Sequence, residues 1–314
     1  MNLQELRAKQ KELISLIYKN MELEFLPYFI FYSYIGARIC YASSHPLALF
    51  YEEKFQNIEK FRKFLLNLKN HGHYSIFAHT PIFVNIKDFS IEEKYLLAQN
   101  FYKVFWDENN GYALFNLRHL AENLEEGEFA KLLNVEPDLS KISIRFFKNF
   151  QKIYEGSFED LSQELLKDEY NIWAIPEVIV IEIKKEHPFR WIGVIVNGFS
   201  RIFSHQFVRH TWLNFNQRSH RYTQIDKFVL PENFDESKKE IYERIINESM
   251  KYYKEFCKDI KKESARFIVP QGVSTTVLAT GPFLVWNDFI NKRAIPQAQN
   301  EIRNLAKLLK ENLI

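Results

Sequence analysis

The segment VIVIEIKKEHPFRWIGVIVNGF, residues 178–199, decides the fold. It contains two apolar runs, VIVIEIKK at 178–185 and WIGVIVNGF at 191–199, separated by a short charged turn. Both runs are rich in β-branched residues, which pack well on a pleated surface. They therefore predict two β-strands that follow each other directly along the chain.

Helical patterns lie on both sides of these strands. Apolar residues three to four apart predict an amphipathic helix up to about Asn20, and Ser90 begins a Ser-x-x-Glu helix start that should continue to about Phe105. We expect the remaining main helices over residues 46–68, 236–266, 274–292 and 296–312. Residues 137–172 are polar and weakly patterned, which predicts a connector with one or two short helices. Together these elements predict an α/β protein.

The composition excludes several classes of protein. The 314 residues are 46% hydrophobic and 26% charged, as in a globular chain of about two domains. No run approaches the roughly 18 apolar residues of a membrane span, and the charged N-terminus lacks the apolar core of a signal peptide. Cys40 and Cys257 are too few for a disulfide framework or a four-cysteine zinc site. We therefore expect a cytoplasmic protein without a metal or a membrane partner.

The densest polar cluster, QFVRHTWLNFNQRSHRY at 206–222, follows the second strand directly. Its three arginines suit the oxygens of phosphate, carboxylate or imide groups, and its Ser, Asn and Gln side chains can bind a sugar or a base edge. The cluster contains no P-loop, no dinucleotide-binding glycine pattern and no metal-ligand spacing. From residue types alone, a solvated basic loop is an equally good interpretation.

The same segment resembles the signature of flavin-dependent thymidylate synthases, which is Gln-x-x-Arg-His-Arg, seven residues, and then Ser-x-Arg-Tyr. Four shorter segments resemble other motifs of that family in the same order: ARICYASS at 37–44, GHYSIFAH at 72–79, ARFIVP at 265–270 and NKRAIPQAQNEIR at 291–303. The resemblance implies an α/β (α+β) fold with an antiparallel or mixed sheet flanked by helices.

The resemblance also implies a reaction, the reductive methylation of dUMP to dTMP with FAD, NADPH and methylenetetrahydrofolate and without a nucleophilic cysteine. Arg293 would be the catalytic residue that polarises the pyrimidine. The implied nucleotide-binding residues are Gln206, Gln217, Arg218, Ser219, Arg221, Arg266 and Arg293. The implied FAD- or folate-binding residues are Cys40, His73, Ser75, Asn116, Arg118, Arg209, His210, Thr211 and Gln299.

Several flavin-side positions depart from the family's pattern. Thr211 replaces the third residue of Arg-His-Arg, Ala78 replaces a glutamate, and Gln297 replaces a histidine. Pro282 and Leu284 stand where the family carries an Asn-x-Arg pair. Two alternatives to the synthase follow: a diverged paralogue that binds a nucleotide or alkylates another pyrimidine, and a nucleic-acid-binding protein. The net charge of +2 disfavours the second, because strong binding to a nucleic-acid backbone needs a broad basic surface.

The chain is also longer than a typical family member, and the excess falls between His79 and the strands near residue 180. Within it, NLRHL at 116–120 resembles the missing Asn-x-Arg-x-Leu motif, although an ordinary charged helix would explain it equally well. One hypothesis is an internal duplication, with flavin- and folate-side motifs in residues 1–136, a connector at 137–174 and nucleotide-side motifs in 175–314. Because family members are homotetramers, a duplicated chain would assemble as a homodimer, and a chain without the duplication would assemble as a homotetramer.

Overall fold

Antiparallel pairing builds both sheets of the protein. The computed structural model describes residues 3–166 and 171–314; residues 167–170, part of the predicted connector, lie outside the described residues. The described strands form a three-stranded sheet with the order β1-β3-β2 and a six-stranded sheet with the order β5-β4-β6-β7-β9-β8. The strands are β1 (Pro81–Asn85), β2 (Phe105–Asp107), β3 (Tyr112–Asn116), β4 (Ile142–Lys148), β5 (Gln151–Ser157), β6 (Glu177–Ile183), β7 (Trp191–Ser200), β8 (Asn214–Gln217) and β9 (Ser274–Pro282).

Helices cover both faces of the larger sheet, so the predicted α/β class is confirmed. The α-helices are α1 (Leu3–Asn20), α2 (Leu26–Phe29), α3 (Phe31–Tyr41), α4 (Glu53–Gln56), α5 (Ile58–Asn70), α6 (Ile91–Asn100), α7 (Leu117–Asn123), α8 (Glu126–Leu132), α9 (Arg201–Phe207), α10 (Glu236–Asp259), α11 (Lys262–Ala265), α12 (Phe283–Arg293) and α13 (Asn300–Leu313). Short 3-10 helices lie at Leu23–Phe25, Pro46–Tyr51, Tyr74–His79, Gln163–Leu166 and Arg266–Ile268.

The central strand pair separates two hydrophobic cores. In β6, Ile179 and Ile181 face a core built with the N-terminal helices, whereas Val178 and Val180 face a second core built with α9, α12 and α13. Because both faces of this strand are buried, neither face contacts solvent, which explains why residues 178–183 are almost continuously apolar. β6 pairs with β7 in antiparallel register, with Val180 opposite Val194. Both predicted strands are therefore confirmed.

The N-terminal region supplies much of the aromatic content as packed core. Tyr32, Tyr34 and Phe31 on α3 are fully buried, and the Tyr34 ring stacks on Phe61 of α5 with ring centroids 5.6 Å apart. The hydroxyl of Tyr32 donates to the carbonyl oxygen of Ile181 at 3.1 Å, which ties α3 to β6. The aromatic excess thus packs the helical layer onto the large sheet.

Several predicted elements differ from the structure, and the predicted helix 236–266 is divided at Ile260 into α10 and α11. Residues 274–282 form strand β9 rather than the start of a helix, because their β-branched residues pair with both β7 and β8. The predicted connector contains the short helix Gln163–Leu166, but residues 142–157 form a β-hairpin that joins the large sheet. The predicted helix 46–68 is divided into three helices. The last helix begins at Asn300 instead of Pro296.

Helix ends follow their capping residues. Ser90 caps α6 as predicted, since its side chain accepts from the Glu93 amide while the Glu93 carboxylate accepts from the Ser90 amide. The helix ends at Asn100 rather than Phe105, and the chain turns at Lys103 with a φ of 57°. Among the described residues, no helix has the length and apolarity that crossing a membrane requires.

Candidate anion-binding site

The loop at residues 218–223, which we call the Ser219 loop, follows β8 directly at the edge of the large sheet. The Arg218 amide donates to the carbonyl oxygen of Thr276 on β9 at 2.8 Å, and the Ser219 amide donates to the carbonyl oxygen of Cys40 at 3.0 Å. The Thr223 hydroxyl then donates to the Ser219 carbonyl oxygen at 3.0 Å. The loop is therefore fixed both to the sheet and to α3 of the N-terminal region.

Three arginines act electrostatically on one buried histidine beside this loop. His220 is 7% exposed, and its Nε2 donates to the carbonyl oxygen of Ser274 at 3.1 Å. Burial, followed by the positive charges of Arg201, Arg218 and Arg266, lowers the pKa of His220 to about 4. The imidazole is therefore neutral at neutral pH while the guanidinium groups around it stay charged. Such a cluster favours binding of an anion.

The signature motif did not predict Arg201. It is the first residue of α9, directly after the cap residue Ser200, and its amide donates to the Val273 carbonyl oxygen at 3.0 Å. Burial lowers the pKa of Arg201, and the charge of Arg266 acts in the same direction. A bound anion would relieve this repulsion. The available signal in the sequence was an arginine at the start of a helix that follows a buried strand.

Arg221 lies on the exposed side of the loop. Its guanidinium forms an ion pair with Glu263 at 2.6 Å, and both side chains are about half exposed. It also lies over the ring of Tyr222, 5.4 Å from the centroid. Because an exposed pair of this kind is only weakly stabilising, an incoming phosphate can compete with Glu263 for Arg221.

A second cationic group lies at the opposite end of α9. The Nε of Arg293 donates to His210 Nε2 at 2.9 Å, and burial followed by the charge of Arg293 lowers the pKa of His210 to about 4. The His210 ring packs edge-on against Phe289 at 4.9 Å. Arg201 is the first residue of α9, whereas His210, the partner of Arg293, follows the last turn of the same helix. No contact among the described residues joins Arg293 to Ser219, Arg221 or Arg266.

Gln206, Arg209 and Gln217 complete the predicted set from the signature. Gln206 is half-buried near the end of α9 and Arg209 is exposed just beyond it. The Nε2 of Gln217 donates to the Thr275 hydroxyl at 3.1 Å along the β8–β9 pair. The signature therefore spans both ends of α9 instead of surrounding one cavity.

A buried polar network supports the loop from beneath, and the sequence did not predict it. His79 Nε2 lies 2.8 Å from Asn216 Oδ1, and His79 Nδ1 lies 2.9 Å from the Thr280 hydroxyl. Because an amide oxygen only accepts, Nε2 carries the proton and Nδ1 accepts from Thr280. Asn216 in turn donates to the Cys40 sulfur at 3.1 Å. Burial lowers the pKa of His79 to about 4 and raises the pKa of the Cys40 thiol, so both groups are neutral.

The residues predicted on the flavin and folate side lie in separate places. His73 and Ser75 are exposed near the start of the helix Tyr74–His79. Gln299 caps α13, where its side-chain oxygen accepts from the Ile302 amide at 3.4 Å. Asn116 is buried at the start of α7, and Arg118 forms an ion pair with Glu122 at 2.6 Å.

Arg118 and Thr211 nevertheless lie near the same two residues, Tyr102 and Lys103. The Arg118 guanidinium lies over the ring of Tyr102, 5.5 Å from its centroid. Tyr102, Lys103 and Thr211 line one cavity of about 730 Å³ together with Trp212. Two of the residues predicted to bind a cofactor, from opposite halves of the chain, therefore lie at or beside one groove.

The described residues contain no group of His, Cys, Asp and Glu side chains that could hold a metal ion. Fold and site together describe an α/β protein with an arginine-rich edge on an antiparallel sheet. Residues 186–314 match the family model described as thymidylate synthase complementing protein. The match covers the C-terminal part of the chain, including the Ser219 loop and Arg293.

Relatives of known name match 37–40% of the chain. The flavin-dependent thymidylate synthase of Pyrococcus furiosus is 35% identical over 127 residues, which cover 37% of this chain and 52% of the relative. The enzyme of the same name from Thermococcus onnurineus is 37% identical over 127 residues, covering 37% of this chain and 51% of the relative. The one from Corynebacterium diphtheriae is 29% identical over 150 residues, covering 40% and 59%. The chain thus spans about half the length of the curated relatives it matches.

Proposed function

We propose that the protein is a flavin-dependent thymidylate synthase that converts dUMP to dTMP by reductive methylation, with FAD as cofactor and NADPH and methylenetetrahydrofolate as co-substrates. The observation that carries the proposal is the position of the Ser219 loop, whose backbone is fixed to Thr276 of β9 and to Cys40 of α3, with the charges of Arg201, Arg218 and Arg266 acting on the buried His220 beside it. A dianionic phosphate matches this charge, and the names of the relatives support a flavin-dependent reaction on a pyrimidine nucleotide.

In this proposal, the arginine cluster binds the phosphate of dUMP. Ser219 adds a neutral hydroxyl donor, and Arg221 exchanges Glu263 for the incoming phosphate. Because His220 stays neutral, it neither repels the arginines nor neutralises the phosphate by proton transfer. Charge-assisted hydrogen bonds of this type contribute about 1.5–3 kcal/mol each.

Arg293 is proposed to polarise the pyrimidine. Its guanidinium is oriented by the hydrogen bond to His210, and its positive charge would stabilise negative charge that develops on the uracil ring. Since Arg293 and the phosphate cluster lie at opposite ends of α9, we propose that a second copy of the chain supplies one of the two groups to each site. A homo-oligomer would then be required for activity.

The residues near Thr211 fit the diphosphate of FAD in part. Lys103 and Arg118 provide positive charge at the groove, and Tyr102 and Trp212 provide rings on which a planar group can stack. His73, Ser75 and Gln299 do not contact this groove among the described residues, so a partner chain would have to bring them to a flavin. When bound, FAD would supply the hydride chemistry, and Lys103 and Arg118 would hold its phosphates.

A direct test uses the purified full-length protein with FAD, NADPH, methylenetetrahydrofolate and dUMP labelled at the C5 hydrogen. Release of that hydrogen with formation of dTMP is the expected result. Arg201→Met and Arg266→Met should each weaken dUMP binding by about 1.5–3 kcal/mol, roughly 10- to 150-fold, and should leave the weaker binding of deoxyuridine unchanged. Arg244→Met, which removes an exposed arginine of α10, is the matched control. If both variants bind dUMP like the wild type, the phosphate assignment is wrong.

A diverged paralogue that binds a nucleotide without this chemistry is the second candidate. It is favoured by the exposure of His73 and Ser75, which have no described partner at the groove, and by Thr211 at a position where the family carries arginine. A colourless protein that binds dUMP and does not release the C5 hydrogen would support this candidate over the synthase. Salt-sensitive binding of RNA or DNA without affinity for dUMP would instead indicate a nucleic-acid-binding protein.

A further inference from the structure

The two sheets contain the same arrangement of strands and helices. In the small sheet, α6 joins β1 to β2, β3 lies between them, and α7 follows β3 directly. In the large sheet, α9 joins β7 to β8, β9 lies between them, and α12 follows β9 directly. All neighbouring strands in both arrangements are antiparallel.

The register of the two arrangements is also the same. Pro81, the first residue of β1, pairs with Asn116, the residue before α7; Trp191, the first residue of β7, pairs with Pro282, the residue before α12. Strands β2 and β8 also begin at equivalent positions. Phe105 of β2 lies opposite Leu114, two residues before Asn116, and Asn214 of β8 lies opposite Thr280, two residues before Pro282.

The helices that follow the first strands are capped in the same way. Ser90 and Ser200 each accept from the amide three residues later, and each lies nine positions after the first residue of its strand. Strand order alone could recur by chance, but identical register and cap spacing are separate features. We infer that residues 81–123 are a degenerate second copy of the unit formed by residues 191–217 and 274–293.

The two copies differ in one connection. A four-residue turn joins β2 to β3, whereas residues 218–273 join β8 to β9 and carry Ser219, Arg221 and Arg266. The N-terminal copy therefore has no counterpart of the phosphate cluster. It carries Asn116 and Arg118 at the start of α7, where the C-terminal copy has Pro282 and Leu284.

The two copies meet at the groove. The Lys103 ammonium donates to the Leu213 carbonyl oxygen at 2.8 Å and to Asn214 Oδ1 at 3.0 Å. Phe105 packs edge-on against Trp212 with ring centroids 5.3 Å apart. These contacts fix Lys103 between the copies, in a backbone conformation that side chains rarely adopt.

The chemistry of the groove suits a ligand with both a ring and a negative charge. Tyr102 and Trp212 are 49% and 53% exposed, so both rings are accessible to a ligand. Lys103 lines the same cavity, and the Arg118 guanidinium lies over the Tyr102 ring. A cavity of about 730 Å³ falls within the usual size of ligand sites.

We propose that the groove between the two copies binds an aromatic ligand that carries a phosphate or diphosphate, with Lys103 of the N-terminal copy as its main cation. Lys103 thereby supplies from within the chain a positive charge next to Thr211. This proposal rests on the proposed function, which places FAD at the same groove, and assigns the binding to Lys103. The groove shares no lining residue with the arginine cluster around His220, so loss of binding at the groove is distinguishable from failure of the phosphate assignment.

The experiment measures binding of FAD, ADP and dUMP to the full-length protein by titration calorimetry, for the wild type, Lys103→Met and Trp212→Leu. We expect FAD or ADP to bind at least 10-fold more weakly to both variants, with dUMP binding unchanged and one dUMP bound per chain. Lys307→Met, at an exposed position of α13, is the control for loss of a lysine.

Each outcome decides between the alternatives. If dUMP rather than FAD or ADP is weakened, the ligand of the groove is the nucleotide substrate itself. If a folded Trp212→Leu variant binds all three ligands like the wild type, the proposal that the groove binds a ligand is wrong. If two dUMP molecules bind per chain, the N-terminal copy has kept a phosphate site, contrary to our inference. Because Lys103 and Trp212 both contact residues of the other copy, thermal unfolding is measured for both variants, and binding is compared only between folded proteins.

Discussion

His79 offers a sharp test of the buried network beneath the site. It is fully buried, and its pKa is lowered from 6.5 to about 4, first by desolvation. In the unfolded chain the imidazole binds a proton as the pH falls below 6.5, whereas in the folded protein it stays neutral until about pH 4. The unfolded state therefore binds more protons in this window, and the folded state loses stability as the pH falls through it.

The size of the effect follows from the two pKa values. Between pH 7 and pH 5, His79 should cost the folded state about 2 kcal/mol relative to the unfolded state. His79→Gln retains an amide donor toward Asn216 but does not titrate. The variant should be less stable than the wild type at pH 7, because it loses the bond with Thr280, and this deficit should shrink by about 2 kcal/mol at pH 5.

Urea unfolding at half-unit pH steps from 4 to 7.5 measures this difference. Thr280→Val is the matched control, because it removes the hydroxyl that donates to His79 and leaves the histidine in place. It should lower stability while the proton-linked slope remains. A deficit for His79→Gln that stays constant from pH 7 to pH 5 would refute the assignment of a buried, neutral imidazole.

Three further predictions concern stability, each measured by urea unfolding at pH 7. Ser90→Ala should lower the unfolding free energy by about 1 kcal/mol through loss of an exposed helix cap, and a loss below about 0.3 kcal/mol would contradict the capping box. Ser200→Ala should lower the unfolding free energy by more, about 2–3 kcal/mol, because the Ser200 hydroxyl also donates to the Glu301 carboxylate, which would lose that donor. Equal losses for Ser90→Ala and Ser200→Ala would contradict this prediction. Gly198→Ala should cost at least about 2 kcal/mol, since φ is +78° and the new Cβ would lie 2.2 Å from the Ile175 carbonyl oxygen; a neutral substitution would show that the backbone can shift there.

The candidate site could be predicted only in part from the sequence. The resemblance predicted the Ser219 loop from the signature at 206–222 and Arg266 from the segment at 265–270, because short motifs keep their spacing whatever surrounds them. It could not identify Arg201 or His79, whose partners at the site lie 19 or more positions away along the chain. It also suggested one set of nucleotide-binding residues, whereas the structure places Arg293 with His210 at the other end of α9.

The sequence by itself determined the elements whose signals are local. Continuous apolar, β-branched runs defined β6 and β7, the Ser-x-x-Glu pattern defined the start of α6, and apolar spacing defined α1. Only the tertiary structure decided the rest: β9 became a strand because β7 and β8 offered it backbone partners on both sides, and the hairpin at 142–157 became part of the sheet because β6 had a free edge. The reason is physical. Helix caps and side-chain periodicity depend on neighbours three or four residues apart, but strand pairing, buried neutral histidines and clustered arginines depend on contacts between distant parts of the chain, which exist only once it has folded.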